Sequence, residues 1–178
     1  MVILAACISE DRRSSVYKSE IASLTQLLKE QTNRTDSIND YLSKADTLGY
    51  HVFSNQDWTR LHETHAKNIK VTWPDGHSTI GIDDHITDLK SMFVFAPNTS
   101  IKDHPIKFGS GNMTCVTGTM TGTFSVAMPM GFGKFIPPTG KSFVLPMCTV
   151  GKWKDGVMIE EYLFWDNKTY MDQLEIEQ

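Results

Sequence analysis

Asp166 closes an aromatic run, Tyr162-Leu163-Phe164-Trp165. Alternation along a strand sets it on one face with Tyr162 and Phe164. Desolvation there raises a carboxyl pKa toward the range of a general acid or base at neutral pH. A strand-end Asp can instead accept hydrogen bonds from the backbone of Asn167 or Lys168, with an ordinary or lowered pKa. A carboxylate turned to bulk solvent would end the catalytic reading of Asp166 and bring a binding role forward. Glu160 and Glu161 lie in the same strand, and alternation sends one inward and one outward.

The histidines form a second group. His62 and His65 share a helical stripe with Trp58 and Leu61, which predicts that both face inward. His104 alternates with Ile106 and Phe108. His85 sits one turn past Ile82, at the margin of an apolar helix face. Each one read singly is a satisfied core histidine. Several aimed at one interior predict a polar pocket, because a buried imidazole without a partner is costly. Trp73-Pro74-Asp75-Gly76-His77 is a turn that carries an acid/base pair, Asp75 and His77, at its tip.

Two motif-like stretches fail on spacing. His62-Glu63-Thr64-His65 is one residue short of a zinc-protease helix and has no third ligand at an obvious spacing. No metal is therefore expected. Gly140-Lys141-Ser142 lacks the earlier glycine of a phosphate-binding loop, and a strand follows where a helix is needed.

The elements that must position these groups change period midway. Val16 to Glu30 carries a loose helical stripe, Gln31 to Thr35 reads as a polar break, and a capping box at Ser37 opens a helix with Ile38, Tyr41, Leu42, Ala45 and Leu48 on one face. Gly49 suits its end. Ser54 opens another helix, with Trp58, Leu61, His62, His65 and Ile69 as its stripe. Ile82 to Val94 is a further helix. After Pro97 the period becomes two: Ile101–Phe108, Asn112–Phe124, Lys141–Lys154 and Val157–Trp165 read as strands, with a shorter one at Ile69–Trp73. Asp155-Gly156 is a hairpin turn. Helices first and antiparallel strands later predict an α+β fold with Asn112–Phe124 and Lys141–Lys154 paired. Both faces of the last strand are apolar, which predicts a curved sheet with helices on the concave side and a homodimer contact on the other. The loop Ser125–Gly140 carries Met128, Met130, Phe132, Phe135 and Ile136, so an arm or lid is expected.

The 178-residue chain has near-average hydrophobic (40%) and charged (21%) fractions, which excludes disorder as its main state. A net charge of −4 without a Lys/Arg cluster argues against nucleic acid. No apolar run reaches the length of a transmembrane segment. Three cysteines do not make a disulfide scaffold. Leu4-Ala5-Ala6-Cys7 has the small-residue pattern that ends a lipoprotein signal, but with too short an apolar stretch before it. It is read as a signal stump of a cell-envelope (periplasmic) protein or as a cytoplasmic tail. The expected organisation is a tail at 1–15, an extra helix and break at 16–35, and a domain at 36–178.

Several motifs together resemble the SnoaL-like polyketide cyclases of the nuclear-transport-factor-two-like superfamily. They are Val71-Thr72-Trp73-Pro74-Asp75-Gly76, then Gly81 opening a helix, Met120-Thr121-Gly122-Thr123-Phe124, Pro138-Thr139-Gly140-Lys141, Trp153-Lys154-Asp155-Gly156-Val157 and Glu161 to Asp166. The resemblance spans Ile38 to Ile176. It implies a cone: a curved antiparallel sheet wrapped around N-terminal helices, with a pocket at the wide end. It also implies intramolecular aldol chemistry without metal or cofactor, with an Asp of the final strand region as acid/base. Asp166 matches that Asp by position. The sequence departs from the pattern at Gly111-Asn112, where many members have Gly-Asp, and in the longer loop Ser125–Gly140.

The expected catalytic residues are therefore Asp166, His104 and His77, with His62 as a further group for an enolate oxygen. Trp58, His62, His65, Trp73, Asp75, Tyr162 and Phe164 are the expected ligand-binding residues. The expected ligand is a small apolar or carbonyl-containing molecule. The fold also hosts non-catalytic binding proteins and oligomeric interaction modules, which are the alternative readings.

Overall fold

The computed structural model describes the backbone of Val2–Ile176 and the side chains of Arg12–Ile176. The Leu4–Cys7 signal reading thus lies outside the described side chains. Helix α1 (Val2–Thr47) is continuous. The break expected at Gln31–Thr35 is absent, because the chain holds no Gly or Pro before Gly49. The polar hydroxyls there bond back along the helix instead: Thr32, Thr35 and Ser37 donate to the carbonyls of Leu28, Gln31 and Asn33. The chain divides into two compact units at Ser37/Ile38. In the first unit every described side chain is exposed, including Val16, Ile21, Leu24 and Leu28. Among the described residues, no helix is long and apolar enough to cross a membrane.

The second unit, Ile38–Gln178, holds the sheet and the core. After α1 come a π-helical turn (Leu48–Phe53) and a 3₁₀ turn (Trp58–Glu63). The strands are β1 (His65–Thr72), β2 (Ser78–Ile80), β3 (Ser100–Ile101), β4 (Lys107–Ser110), β5 (Met113–Thr123), β6 (Met128–Pro129), β7 (Phe135–Ile136), β8 (Ser142–Lys154) and β9 (Val157–Phe164). Helix α2 (Ile82–Phe95) follows β2, and α3 (Asn167–Gln173) follows β9. The helix expected from Ser54 to Ile69 is a correction. It stops after one short turn, and His65 opens a strand, because β1 has a partner strand on each side.

The main sheet runs β2-β1-β9-β8-β5-β3, with β4 also on β5. It is an open, curved sheet in an α+β fold. The expected pair forms: β5 and β8 are antiparallel from Met113↔Lys152 to Thr123↔Ser142. One pairing departs from an all-antiparallel sheet, since β1 runs parallel to β9. Along β5 the even residues Thr114 to Gly122 are buried and the odd ones half-buried. That strict alternation fixes which face looks at the core.

On β9 the alternation breaks. Lys152 pairs with Glu160 and Trp153 with Met158, leaving Ile159 as an extra residue. This β-bulge shifts the parity, so Met158, Glu161 and Leu163 all face the core. A strand read as apolar on both faces is in part a strand with one slipped residue.

The segment Ser125–Gly140 forms the small hairpin β6–β7. Met128 and Ile136 pack against the core, while Met130, Phe132 and Phe135 are exposed. It is an arm on the surface, and none of its residues lines the cavity described next.

Candidate functional site

Three separate segments bring ionisable groups to one buried point. Gly81, at φ 109°, turns the chain out of β2 and donates its N–H to the Ile69 carbonyl of β1 at 2.8 Å. Few residues other than Gly adopt that φ. The turn lays the first turn of α2 beside β1, and His85 on that turn is 2% exposed. His65 opens β1 and is equally buried. Glu161 enters from β9, on the inward side created by the bulge, at 3% exposure.

His65 Nε2 and His85 Nε2 each lie 3.4 Å from Glu161 Oε2. The two rings are 5.3 Å apart between centroids. Thr64 Oγ1 stands 3.1 Å from the Leu61 carbonyl and 2.7 Å from His65 Nδ1. Both contacts are satisfied when Thr64 donates to the carbonyl and His65 Nδ1–H donates to Thr64. His85 Nδ1 and Trp73 Nε1 are buried without a protein partner among the described residues. Buried polar atoms are normally paired, so both carry unused hydrogen-bonding capacity.

The electrostatics follow from burial and neighbours. Burial pushes the Glu161 carboxyl up, but the hydrogen bond and charge of His65, with His85, outweigh it and hold the group below its ordinary value. Burial is also the main cause at His85, lowering its pKa to about 4 against the pull of Glu161. At neutral pH the cluster thus holds an ionised Glu161 and a neutral His85.

A stability prediction arises here. The unfolded chain takes up a proton on His85 near pH 6.5, whereas the folded one resists it until about pH 4. That contribution is complete above pH 6.5 and is lost as the pH falls toward 4. It is worth up to about 3 kcal/mol. Urea unfolding of metal-free protein between pH 4 and 7 checks this, and His85→Gln should flatten the curve in that window.

The cluster borders a cavity that opens at a mouth to solvent. Its walls are mostly apolar: Trp73, Trp153, Trp165, Leu163 and four methionines, Met92, Met120, Met147 and Met158. Methionine walls adapt to ligand shape. A second polar patch lines it at His104, whose Nδ1 is 2.8 Å from Asp46 Oδ1 and whose ring stacks on Tyr50. Burial raises the Asp46 carboxyl, but hydrogen bonds from Lys107 and His104 outweigh this and hold it below its usual value.

Of the residues expected from sequence, His65, Trp73 and His104 line the cavity, and the others do not. Asp166 is exposed and caps α3, accepting hydrogen bonds from Lys168 N, Thr169 N and Thr169 Oγ1 at 2.9, 3.3 and 2.8 Å. Those bonds, led by the Thr169 hydroxyl, lower its pKa, so the expected upward shift is corrected. Tyr162 and Phe164 stand on the other face of β9, where the Tyr162 hydroxyl donates to Glu160 at 2.6 Å. His62 is exposed, bonded to the Thr59 carbonyl, because the segment forms a 3₁₀ turn that buries Leu61 and leaves His62 on its outer side. Asp75 and His77 pair at 2.6 Å on an exposed turn, where the His77 ring stacks on Trp73. Hydrogen bonds from the His77 backbone and ring lower the Asp75 pKa. Trp58 packs edge-on against Phe53 and Phe93 instead of lining the cavity. His85, Glu161 and Trp153 were not among the expected site residues. The inward/outward split of Glu160 and Glu161 was the one signal pointing to Glu161.

The capping role of Asp166 gives a second prediction. Asp166→Ala should cost about 1 kcal/mol of stability, the usual price of a lost N-cap. Thermal unfolding measures it, and chemistry in the cavity should be unchanged.

No curated protein matches the sequence. Solved structures do match the fold. A candidate SnoaL-like polyketide cyclase from Jannaschia sp. CCS1 aligns with TM-score 0.67 and 19% identity, over 79% of this chain and 95% of that one. IdmH, a candidate polyketide cyclase from Streptomyces antibioticus, aligns at 0.65 and 21%, over 76% and 99%. A protein of ketosteroid isomerase-like fold from Catenulispora acidiphila, solved with trimethylamine, aligns at 0.58 and 11%, over 74% and 92%. The family model for SnoaL-like polyketide cyclase matches residues 44–174, which takes in β1, α2 and β9 and so every residue of the buried cluster. The chain belongs to the SnoaL-like polyketide cyclase family.

Proposed function

We propose that the protein is a cyclase/isomerase-like enzyme that moves a proton on a small, largely apolar carbonyl compound held in this cavity. The observation that carries this reading is an ionised carboxylate, Glu161, and two imidazoles converging in a pocket otherwise walled by Trp, Leu and Met. The acid/base work falls to this cluster in place of Asp166. Glu161 takes the α-proton, and His65 and neutral His85 stand beside its carboxylate with their Nε2 atoms, where neutral His85 offers hydrogen bonding without adding a positive charge. The apolar wall excludes water and strengthens each of these interactions.

The test is deuterium exchange at the α-carbon of 1-tetralone, an apolar bicyclic ketone, followed by NMR in D₂O. Exchange well above the buffer rate supports the reading. Saturable binding of the ketone without exchange favours the second reading, a non-catalytic pocket, to which the exposed position of Asp166 already gives weight. Pairing of two copies through the outer sheet face belongs to the same proposal, supported by exposed Val144 and Phe164. Light scattering at micromolar concentration should report twice the monomer mass, and a monomer alone would contradict it.

A further inference from the structure

We propose that His65 Nε2, His85 Nε2 and Glu161 Oε2 bind one divalent transition-metal ion of the zinc type, with an open coordination position toward the cavity.

The distances favour an ion over hydrogen bonds alone. A charge-assisted N–H···O⁻ bond closes to about 2.7–2.9 Å. Both imidazole nitrogens stand off at 3.4 Å from the same oxygen. Two atoms bound to one tetrahedral zinc at about 2.1 Å lie about 3.4 Å apart. All three donor atoms fall within 4.8 Å of one another. Two of the three donor separations therefore already match the edge of a zinc tetrahedron.

Ring orientation points the same way. Thr64 Oγ1 engages His65 Nδ1 at 2.7 Å, which leaves Nε2 as the ring atom presented beside the Glu161 oxygen. A metal-bound histidine commonly donates its other ring N–H to a neighbour, which fixes the tautomer, and Thr64 supplies that neighbour here. Two histidines and one glutamate are a donor set that suits zinc, cobalt(II) or iron(II), and three protein ligands leave a position open. Charge fits as well: one carboxylate leaves a dication with a net positive charge facing the cavity, where a carbonyl oxygen would enter.

The expectation of no metal from sequence rested on His62 and His65. The donors come instead from β1, α2 and β9, with 19 residues between the histidines and 75 between His85 and Glu161. No local spacing could display such a set.

Binding of the ion stands apart from turnover, whereas its use on a carbonyl group rests on the reading above. The test titrates EDTA-dialysed, metal-free protein with Co²⁺ and follows the visible absorption of tetrahedral cobalt, with Zn²⁺ calorimetry in parallel. The expected result is one tight equivalent with a tetrahedral spectrum. Glu161→Gln and His85→Gln should each weaken it at least ~100-fold, since loss of even an outer-shell partner costs 10–100-fold. His62→Ala should leave it intact. Circular dichroism confirms that each variant is folded, and a rise in wild-type Tm with Zn²⁺ supplies a reading that needs no variant. No tight equivalent, no Tm rise, or binding unchanged in both cluster variants would overturn the site. Ketone exchange that persists in EDTA while cobalt fails to bind would remove the metal and keep the acid/base reading. Tight cobalt binding without exchange would do the reverse.

Discussion

Glu161→Gln should slow exchange of the 1-tetralone α-proton by about 10²–10⁴-fold, the usual worth of a positioned general base. Glutamine keeps the shape of the side chain and its two hydrogen-bonding atoms, so the packing around His65 and His85 stays filled. What disappears is the charge and the ability to accept a proton. The fold should survive, because the substitution also removes the cost of holding an ion at 3% exposure. Far-ultraviolet circular dichroism and Tm separate loss of chemistry from loss of structure. A variant that is folded and exchanges at the wild-type rate would remove Glu161 from the mechanism. Asp166→Ala is the natural control, expected to lower Tm slightly and leave exchange untouched.

The largest stability effect should come from Trp153→Ala. Trp153 is 1% exposed on β8. Its ring stacks on Tyr41 of α1 with centroids 4.6 Å apart and planes 8° from parallel. Its Nε1 donates to Thr114 Oγ1 of β5 at 2.8 Å. Gly151, two residues earlier on the same face, has no room for a side chain: a Cβ there would stand 2.6 Å from the Met158 sulfur and 3.0 Å from Trp153 Nε1. Trp153 therefore joins three elements at one point. Truncation to Ala leaves a void that such rigid neighbours fill poorly, at about 3–5 kcal/mol. For a chain of this size the Tm should fall by roughly 10 °C. Trp153→Phe should recover part of the stacking and not the hydrogen bond. A Tm change under about 2 °C for the Ala variant would show that the packing described at this corner is wrong.

The architecture was largely legible in the residues. The alternating Thr, Val and Met residues of Met113–Thr123 and the run Ser142–Lys154, with Phe143, Val144, Leu145, Val150 and Trp153, announce two long strands. Asp155-Gly156 announces the hairpin between β8 and β9. These are local signals with a fixed period, and the β5–β8 ladder forms where they place it. The site was legible in part. His65, Trp73 and His104 line the cavity, but Tyr162 and Phe164 lie on the other face of β9, and Asp166 lies beyond its end as the cap of α3. The physical reason is the bulge at Ile159. One extra residue reverses the parity of everything before it relative to everything after it, and apolar residues then appear to occupy both faces. His85 lies at the margin of the apolar stripe because a helical stripe is judged against its own helix. Its burial is decided by β1, against which Gly81 docks it. Helical spacing from Trp58 to Ile69 misled for a similar reason: partner strands β2 and β9 capture the segment from His65 onward, and tertiary pairing overrides a local pattern.

The most direct test of the central claim is a crystal structure with 2-naphthol, a planar phenol that mimics the enol of a bicyclic ketone. The account predicts the naphthyl rings against Trp73, Trp165 and the methionine wall, with the hydroxyl oxygen within ~3.2 Å of the Glu161 carboxylate or of His65 or His85 Nε2, or bound to an ion held by the three. A naphthol whose hydroxyl turns away from the cluster toward His104 or the mouth, or one bound on the outer face beside Tyr162 and Asp166, would contradict it.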